Sequence, residues 1–136
     1  MKEGIRIEND IEKPTNSPFQ YKRSKQETEI MNEQIKKLLD MQVISETTDQ
    51  EGFFSNLFTK RKSDGSYRSI LNLKNFNNFC EKKKFKMCTL RQVIQLITPN
   101  AYMASLDIEQ AYFSIPIHEN HKKYLKFSWG GEILCL

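Results

Sequence analysis

Asp107 ends an apolar, alternating run (Tyr102, Met103, Ala104, Ser105, Leu106) and is followed directly by Ile108, Glu109, Gln110, Ala111 and Tyr112. In a strand, Met103, Ser105 and Asp107 would share the less apolar face, so the carboxylate would emerge at the strand's end. Two chemistries use such an acid. Asp is a favoured helix N-cap, and with Gln110 at the third helical position it could close the next turn for about 1 kcal/mol. The second is phosphate binding by the unpaired N–H groups of a helix start, here around Gln110 and Ala111. A carboxylate facing phosphates repels them unless a divalent cation sits between, as Mg²⁺ does when one or two carboxylates and phosphate oxygens hold it.

A second stretch, "TKRKSDGSYRSILNL", points to the same ligand. It reads as two strands joined through Asp64-Gly65, a dipeptide suited to the positive φ angles of a hairpin turn. Lys60, Arg61 and Lys62 enter the turn and Arg68 leaves it, with Arg68, Ile70 and Asn72 on one face and Lys74 continuing it. Like charges across a hairpin destabilise it, and a bound polyanion offsets that cost. From Lys60 to Arg91 ten basic residues face two acidic ones, a charge of +8 within a chain whose net charge is +4. Such concentration suits a phosphate-bearing partner, although solvated surface lysines are the plainer account of the Glu81-Lys82-Lys83-Lys84 run.

The elements that must position these residues follow from spacing. Ser24 with Glu27 is a capping box, after which Ile30, Met31, Ile35, Leu38, Leu39 and Met41 recur at helical spacing to about Val43. Phe53 to Lys60 reads as a strand. Thr89 with Gln92 opens a short helix to about Ile97, ended by Pro99-Asn100. Tyr102 to Leu106 is expected to be a strand, with a one-turn helix after Asp107 that Pro116 stops. His118 to Lys123 reads as a polar connection, and Leu125–Trp129 with Glu132–Leu136 as a hairpin turned at Gly130-Gly131. Strands interleaved with short helices make the class α+β.

The 136 residues suit one domain, and nine Phe and five Tyr supply bulk for its core. No apolar run approaches the roughly 18 residues of a membrane helix, and the first residues are too polar for a signal peptide. Cys80, Cys88 and Cys135 are odd in number, so a reducing, intracellular compartment (cytoplasm or nucleus) is expected and a disulfide framework is not. The spacings Cys-x7-Cys and His-x2-His, at Cys80, Cys88, His118 and His121, miss the usual zinc patterns.

"LFTKRKSDGSYRSILNLKNFN", "FKMCTLRQVIQLI" and "YMASLDIEQAYFSIPIHENHKKYLKFSW" resemble, in order and spacing, the fingers and first half of the palm of retroelement reverse transcriptases, over about residues 27 to 136. The Phe85-Lys86-Met87 run leans toward DIRS-like elements, with long-terminal-repeat elements the next choice. The resemblance implies an α+β right-hand polymerase fold, cut short. A flexible arm would span 1–23 and a partial domain 24–136, with fingers to about residue 100 and the start of the palm from about 101. The implied reaction is template-directed addition of deoxynucleotides to a primer, on a primer–template and with deoxynucleoside triphosphates as substrates.

By the same resemblance, Asp107 matches the first palm carboxylate, which holds two Mg²⁺ ions about 4 Å apart, and Ile108 a backbone carbonyl ligand. Gln110 and Ala111 match amides that touch the triphosphate. Tyr112 matches the steric gate against a ribose 2′-hydroxyl. Lys62, aided by Arg61, and Arg68 match the grip on the triphosphate, while Lys74 and Asn77 fall on the template side. Gln110 and Asn72 stand where relatives often carry Asp. The family's two further aspartates belong to a later hairpin that this chain does not reach, so the chain alone is expected to be inactive unless the rest of the polymerase domain completes the site. The competing readings are a non-catalytic nucleic-acid-binding domain, a degenerate retroelement remnant, and a purely structural hairpin.

Overall fold

The computed structural model describes residues 4–7, 14–108 and 111–136. Its first helix, α1 (Lys25–Asp40), starts at the capping box foreseen from the sequence: Glu27 N–H donates to Ser24 Oγ at 3.2 Å, and Ser24 N–H donates to Glu27 Oε2 at 2.9 Å. Met31, Ile35 and Leu38, one stripe at i, i+4 and i+7, are buried. The helix closes by the Schellman pattern, with Val43 N–H donating to Leu38 O and Gln42 N–H to Leu39 O. Gln42 takes the left-handed conformation this requires, with φ of 55°.

Three strands follow: β1 (Ser45–Thr47), β2 (Asn56–Arg61) and β3 (Tyr67–Asn72). A seven-residue helix, α2 (Leu90–Leu96), a single turn, α3 (Glu119–Lys122), and the strands β4 (Lys126–Trp129) and β5 (Glu132–Cys135) come next, with two short 3₁₀ turns between elements. Among the described residues β2 and β3 form one antiparallel ribbon, while β1, β5 and β4 form a three-stranded antiparallel sheet in that order. The β4–β5 turn is the expected two-residue one, Gly130 and Gly131 having φ of 60° and 90°, a type I′ geometry that L-residues resist. The α+β class read from the sequence holds.

Two apolar clusters hold these pieces together. The stripe of α1 meets Ile44, Leu57, Phe127 and Leu134. Phe53, Phe76 and Tyr124 form the second cluster, with Phe76 centroids 5.3 Å from Phe53 and 5.7 Å from Tyr124. Each fully buried side chain of this size contributes roughly 1.5–3 kcal/mol. Polar contacts tie the described part of the N-terminal segment to this body. Asn16 brackets Phe54, accepting from its N–H at 2.5 Å and donating to its carbonyl at 2.9 Å. The Arg23 guanidinium donates to Asn56 Oδ1 and to Leu57 O.

Three sequence expectations change. Tyr102–Leu106 is not a strand: it runs irregularly and fully exposed, with Tyr102, Met103 and Leu106 uncovered. Alternation makes a strand only where a neighbouring strand takes up its N–H and C=O groups, and no described strand lies beside it. The strand expected from Phe53 begins at Asn56, preceded by an isolated bridge between Phe54 and Lys126. The polar connection His118–Lys123 contains α3, capped by His118, whose Nδ1 accepts from Asn120 N–H.

Candidate functional site

The hairpin of β2 and β3 carries the candidate phosphate-binding cations. Asp64 and Gly65 do turn it, but by a five-residue loop, 62–66, instead of a two-residue one. Gly65 N–H donates to Lys62 O, Lys62 N–H to Ser66 O, and Gly65 alone is left-handed, with φ of 84°. This is a type I turn closed by a glycine bulge. Asp64 Oδ1 accepts from Ser66 N–H at 2.8 Å and from its hydroxyl at 2.6 Å, bonds that hold the Asp64 carboxyl below its usual pKa, with the nearby Lys62 charge a smaller cause.

Register decides which cations stand together. Lys60 is opposite Arg68, and Arg61 is opposite Tyr67. Lys60 and Arg68 therefore share one face with Phe58 and Ile70, while Arg61 lies on the other face, which further along carries buried Leu57. Arg61, Lys62 and Arg68 are exposed and have no carboxylate in ion-pair contact among the described residues. A like-charged pair held across the tip, without counter-charge, is a surface that an anion stabilises.

The template-side candidates follow from the same ribbon. Lys74 N–H donates to Asn72 Oδ1 at 3.2 Å, and Asn77 lies exposed in a 3₁₀ turn, Phe76–Asn78. Phe76 is only 2% exposed, so its burial in the aromatic cluster fixes where that turn presents Asn77.

Asp107 and Ile108 stand exposed in the irregular segment, and Ala111 and Tyr112 open a four-residue 3₁₀ turn, Ala111–Ser114, with Tyr112 92% exposed. Gln110 lies outside the described residues. No described hydrogen bond, ion pair or ring contact joins Asp107, Ile108, Ala111 or Tyr112 to Arg61, Lys62 or Arg68. The structure thus gathers the cations on one hairpin and sets the carboxylate on a separate, uncovered segment. As a cation site, Asp107 with the Ile108 carbonyl is one carboxylate and one neutral oxygen. Among the described residues no group of three His, Cys, Asp or Glu side chains converges. That donor set does not fit a pair of Mg²⁺ ions, and no step through metal is assigned to these residues alone.

Sequence reasoning missed Lys126. This lysine is 2% exposed, and all three of its protons are used: Nζ donates to Asp49 O and Asp49 Oδ2 at 2.7 Å each, and to Glu51 O at 2.6 Å. The bond from Lys126 is the main cause holding the Asp49 carboxyl below its usual pKa. Its only sequence signal is a lysine set inside the apolar run Tyr124-Leu125-Lys126-Phe127. A cleft of about 420 Å³ beside it, between β1 and α3, mixes both charges and lies away from the hairpin. Its ion pairs, Lys126–Asp49 and Lys122–Glu119, are internal, so it offers no net field for an anion.

No family model matches the sequence, and no curated protein is significantly similar to it. Solved structures do match. The protease-reverse transcriptase of prototype foamy virus, in a selenomethionine-labelled mutant form, aligns over 96% of this chain at 19% identity with a TM-score of 0.70. Its native form gives 20% identity and 0.69 over the same share. A foamy viral protease-reverse transcriptase in complex with double-stranded DNA aligns over 98% of the chain at 15% identity, with a TM-score of 0.68. The chain spans 18% to 28% of the length of these three structures. At such identities the likeness is one of fold: the chain has the α+β fold of part of a retroviral-type reverse transcriptase.

Proposed function

We propose that the chain is the fingers and first half of the palm of a retroelement reverse transcriptase, an RNA-directed DNA polymerase that extends a primer by nucleotidyl transfer. The observation that carries this reading is the coincidence of fold likeness over nearly the whole chain with a hairpin whose cations make no ion pair among the described residues and stand where the motif order puts the triphosphate grip. In it Lys62 and Arg68, with Arg61, hold the phosphates of the incoming nucleotide. Asp107 and Ile108 supply the first metal-binding oxygens, Gln110 and Ala111 the backbone amides, and Tyr112 the gate against ribose. Lys74 and Asn77 meet the template strand. With Asp107 the one carboxylate at the site among the described residues, the chain needs the rest of the palm to be catalytic. The retroviral likeness supports the reverse transcriptase fold as such; a DIRS-like origin is supported by the Phe85-Lys86-Met87 run alone.

Primer extension by a polypeptide continuing this chain into the rest of the palm, with Mg²⁺ present, is expected and should be abolished by Asp107→Asn. Extension that survives this change rejects the role of Asp107. The lone carboxylate also favours a second reading, a non-catalytic nucleic-acid-binding domain that uses the hairpin for phosphate contacts. Both readings require salt-sensitive binding of a primer–template, and Lys62→Ala with Arg68→Ala should weaken it and lower the salt slope by about 2. Unchanged binding removes the hairpin from both. Absence of extension with binding intact leaves the second reading standing.

A further inference from the structure

The described start of the chain, Gly4–Ile7, is clasped to the residues that leave the exposed segment. Ile5 N–H donates to Pro116 O at 2.8 Å and His118 N–H donates to Ile5 O at 3.0 Å, an isolated parallel bridge between Ile5 and Ile117. Gly4 lies so close to the Ile117–His118 peptide that a Cβ there would overlap it. Ile7 packs on the Phe53, Phe76 and Tyr124 cluster, and its N–H donates to His121 Nδ1 at 2.6 Å. This last acceptor differs from the others in that it titrates. Nδ1 must keep its lone pair, with the ring proton on Nε2. A proton added to Nδ1 turns the acceptor into a donor that faces an N–H.

The surroundings of the ring oppose that proton. His118 lies 5.7 Å away between ring centroids, and the Tyr124 ring 6.0 Å away. Its own helix also brings the Glu119–Lys122 ion pair, the residue just past that helix is Lys123, and the arm brings Arg6. Burial first, then the positive fields of His118, Arg6 and Lys123, hold the imidazole below its ordinary pKa.

We propose that His121 is the catch of a proton-sensitive latch, tying the N-terminal arm to the chain that leaves the Asp107 segment at neutral pH and releasing it in mild acid. The sign follows from linkage. An opened arm returns the imidazole toward its ordinary pKa near 6.5, above that of the closed state. Closure is therefore fully favoured above about pH 6.5, and the closed-to-open ratio falls by up to about tenfold per pH unit as pH drops toward the closed-state value. Opening unties Pro116–His118, the C-terminal root of the exposed segment. The latch stands independently of the polymerase reading.

Amide hydrogen exchange of the 136-residue chain tests it, read at Ile5, Ile7 and His118 and corrected for intrinsic rate, with Phe127 and Leu134 as reporters of global folding. Between pH 7.5 and 5.5 the three latch amides should lose up to about tenfold in protection per pH unit below the open-state pKa, while the two reporters do not. His121→Gln, whose carboxamide oxygen accepts without titrating, should abolish the pH dependence, and His118→Gln should leave it. Gly4→Ala should open the clasp at every pH and raise the His121 pKa seen by NMR toward its ordinary value. A wild-type profile flat in pH, dependence that persists in His121→Gln or disappears in His118→Gln, or an unmoved His121 pKa in Gly4→Ala overturns the proposal.

Discussion

Helices α1 and α2 begin with the same device, a capping box, Ser24 with Glu27 in one and Thr89 with Gln92 in the other. Both boxes are formed. Yet α1 buries Met31, Ile35 and Leu38, whereas α2 buries nothing, leaving Leu90 74% and Leu96 82% exposed. The contrast extends to their surroundings. Around α1 the two sheets and two apolar clusters form a packed body. Around α2 every described residue from 81 to 116 is exposed. Local backbone chemistry therefore starts a helix in either place, and only long-range packing turns a start into stability. The candidate cations sit on the packed side of this divide and Asp107 on the other.

The sharpest way to break the comparison is truncation on both sides. Phe127→Ala, at a side chain 1% exposed, should cost about 4 kcal/mol of unfolding free energy in urea. Tyr102→Ala, at a ring left uncovered, should stay within about 0.5 kcal/mol. Comparable losses at both sites would mean the segment is packed in solution. Next comes Lys126→Met, which keeps apolar volume but leaves the Asp49 and Glu51 carbonyls without their donor; a loss of about 3 kcal/mol is expected.

The same pair has a pH signature. The Asp49 carboxyl is held below its unfolded value, so its contribution is present above about pH 4 and is lost as pH falls through the lower folded value. Acid unfolding followed from pH 5 to 2 should therefore be shallower in Lys126→Met. An identical acid limb in the two proteins would show that the pair is not formed.

Smaller effects sharpen the helix contrast. Ser24→Ala should cost about 1 kcal/mol of global stability, while Thr89→Ala should reduce the helicity of residues 90–96 by NMR and leave the global midpoint in place. At the other end of α1, Gln42 occupies a left-handed site where glycine carries no Cβ penalty, so Gln42→Gly should stabilise by about 0.5 kcal/mol in the same urea titration.

Much of the body was legible because its signals are local. Capping boxes, the stripe of α1, Asp64-Gly65 and Gly130-Gly131 each act within a few residues. What escaped depends on partners distant in the chain. The short strand β1 exists through pairing with β5, Ser45 opposite Cys135. Lys126 is satisfied by a loop 75 and 77 residues away. The Tyr102–Leu106 alternation failed for the converse reason, no described strand lying beside it to complete it. For the candidate site, the presence of the cations on one hairpin could be read, but their faces follow from the five-residue loop, which sets Lys60 opposite Arg68 and puts Arg61 on the other face. The relation of Asp107 to them could not, because nothing local fixes a segment that touches no core.

That exposed stretch also bears on how such a chain can change over generations. Residues 81 to 116 include the acid and the ring proposed to meet substrate, and among those described none anchors either apolar cluster. Substitutions there spend little of the margin that keeps the body folded. Variation could then explore new substrate contacts along this stretch with few casualties to folding, while drift in α1 or the sheets would be purged first.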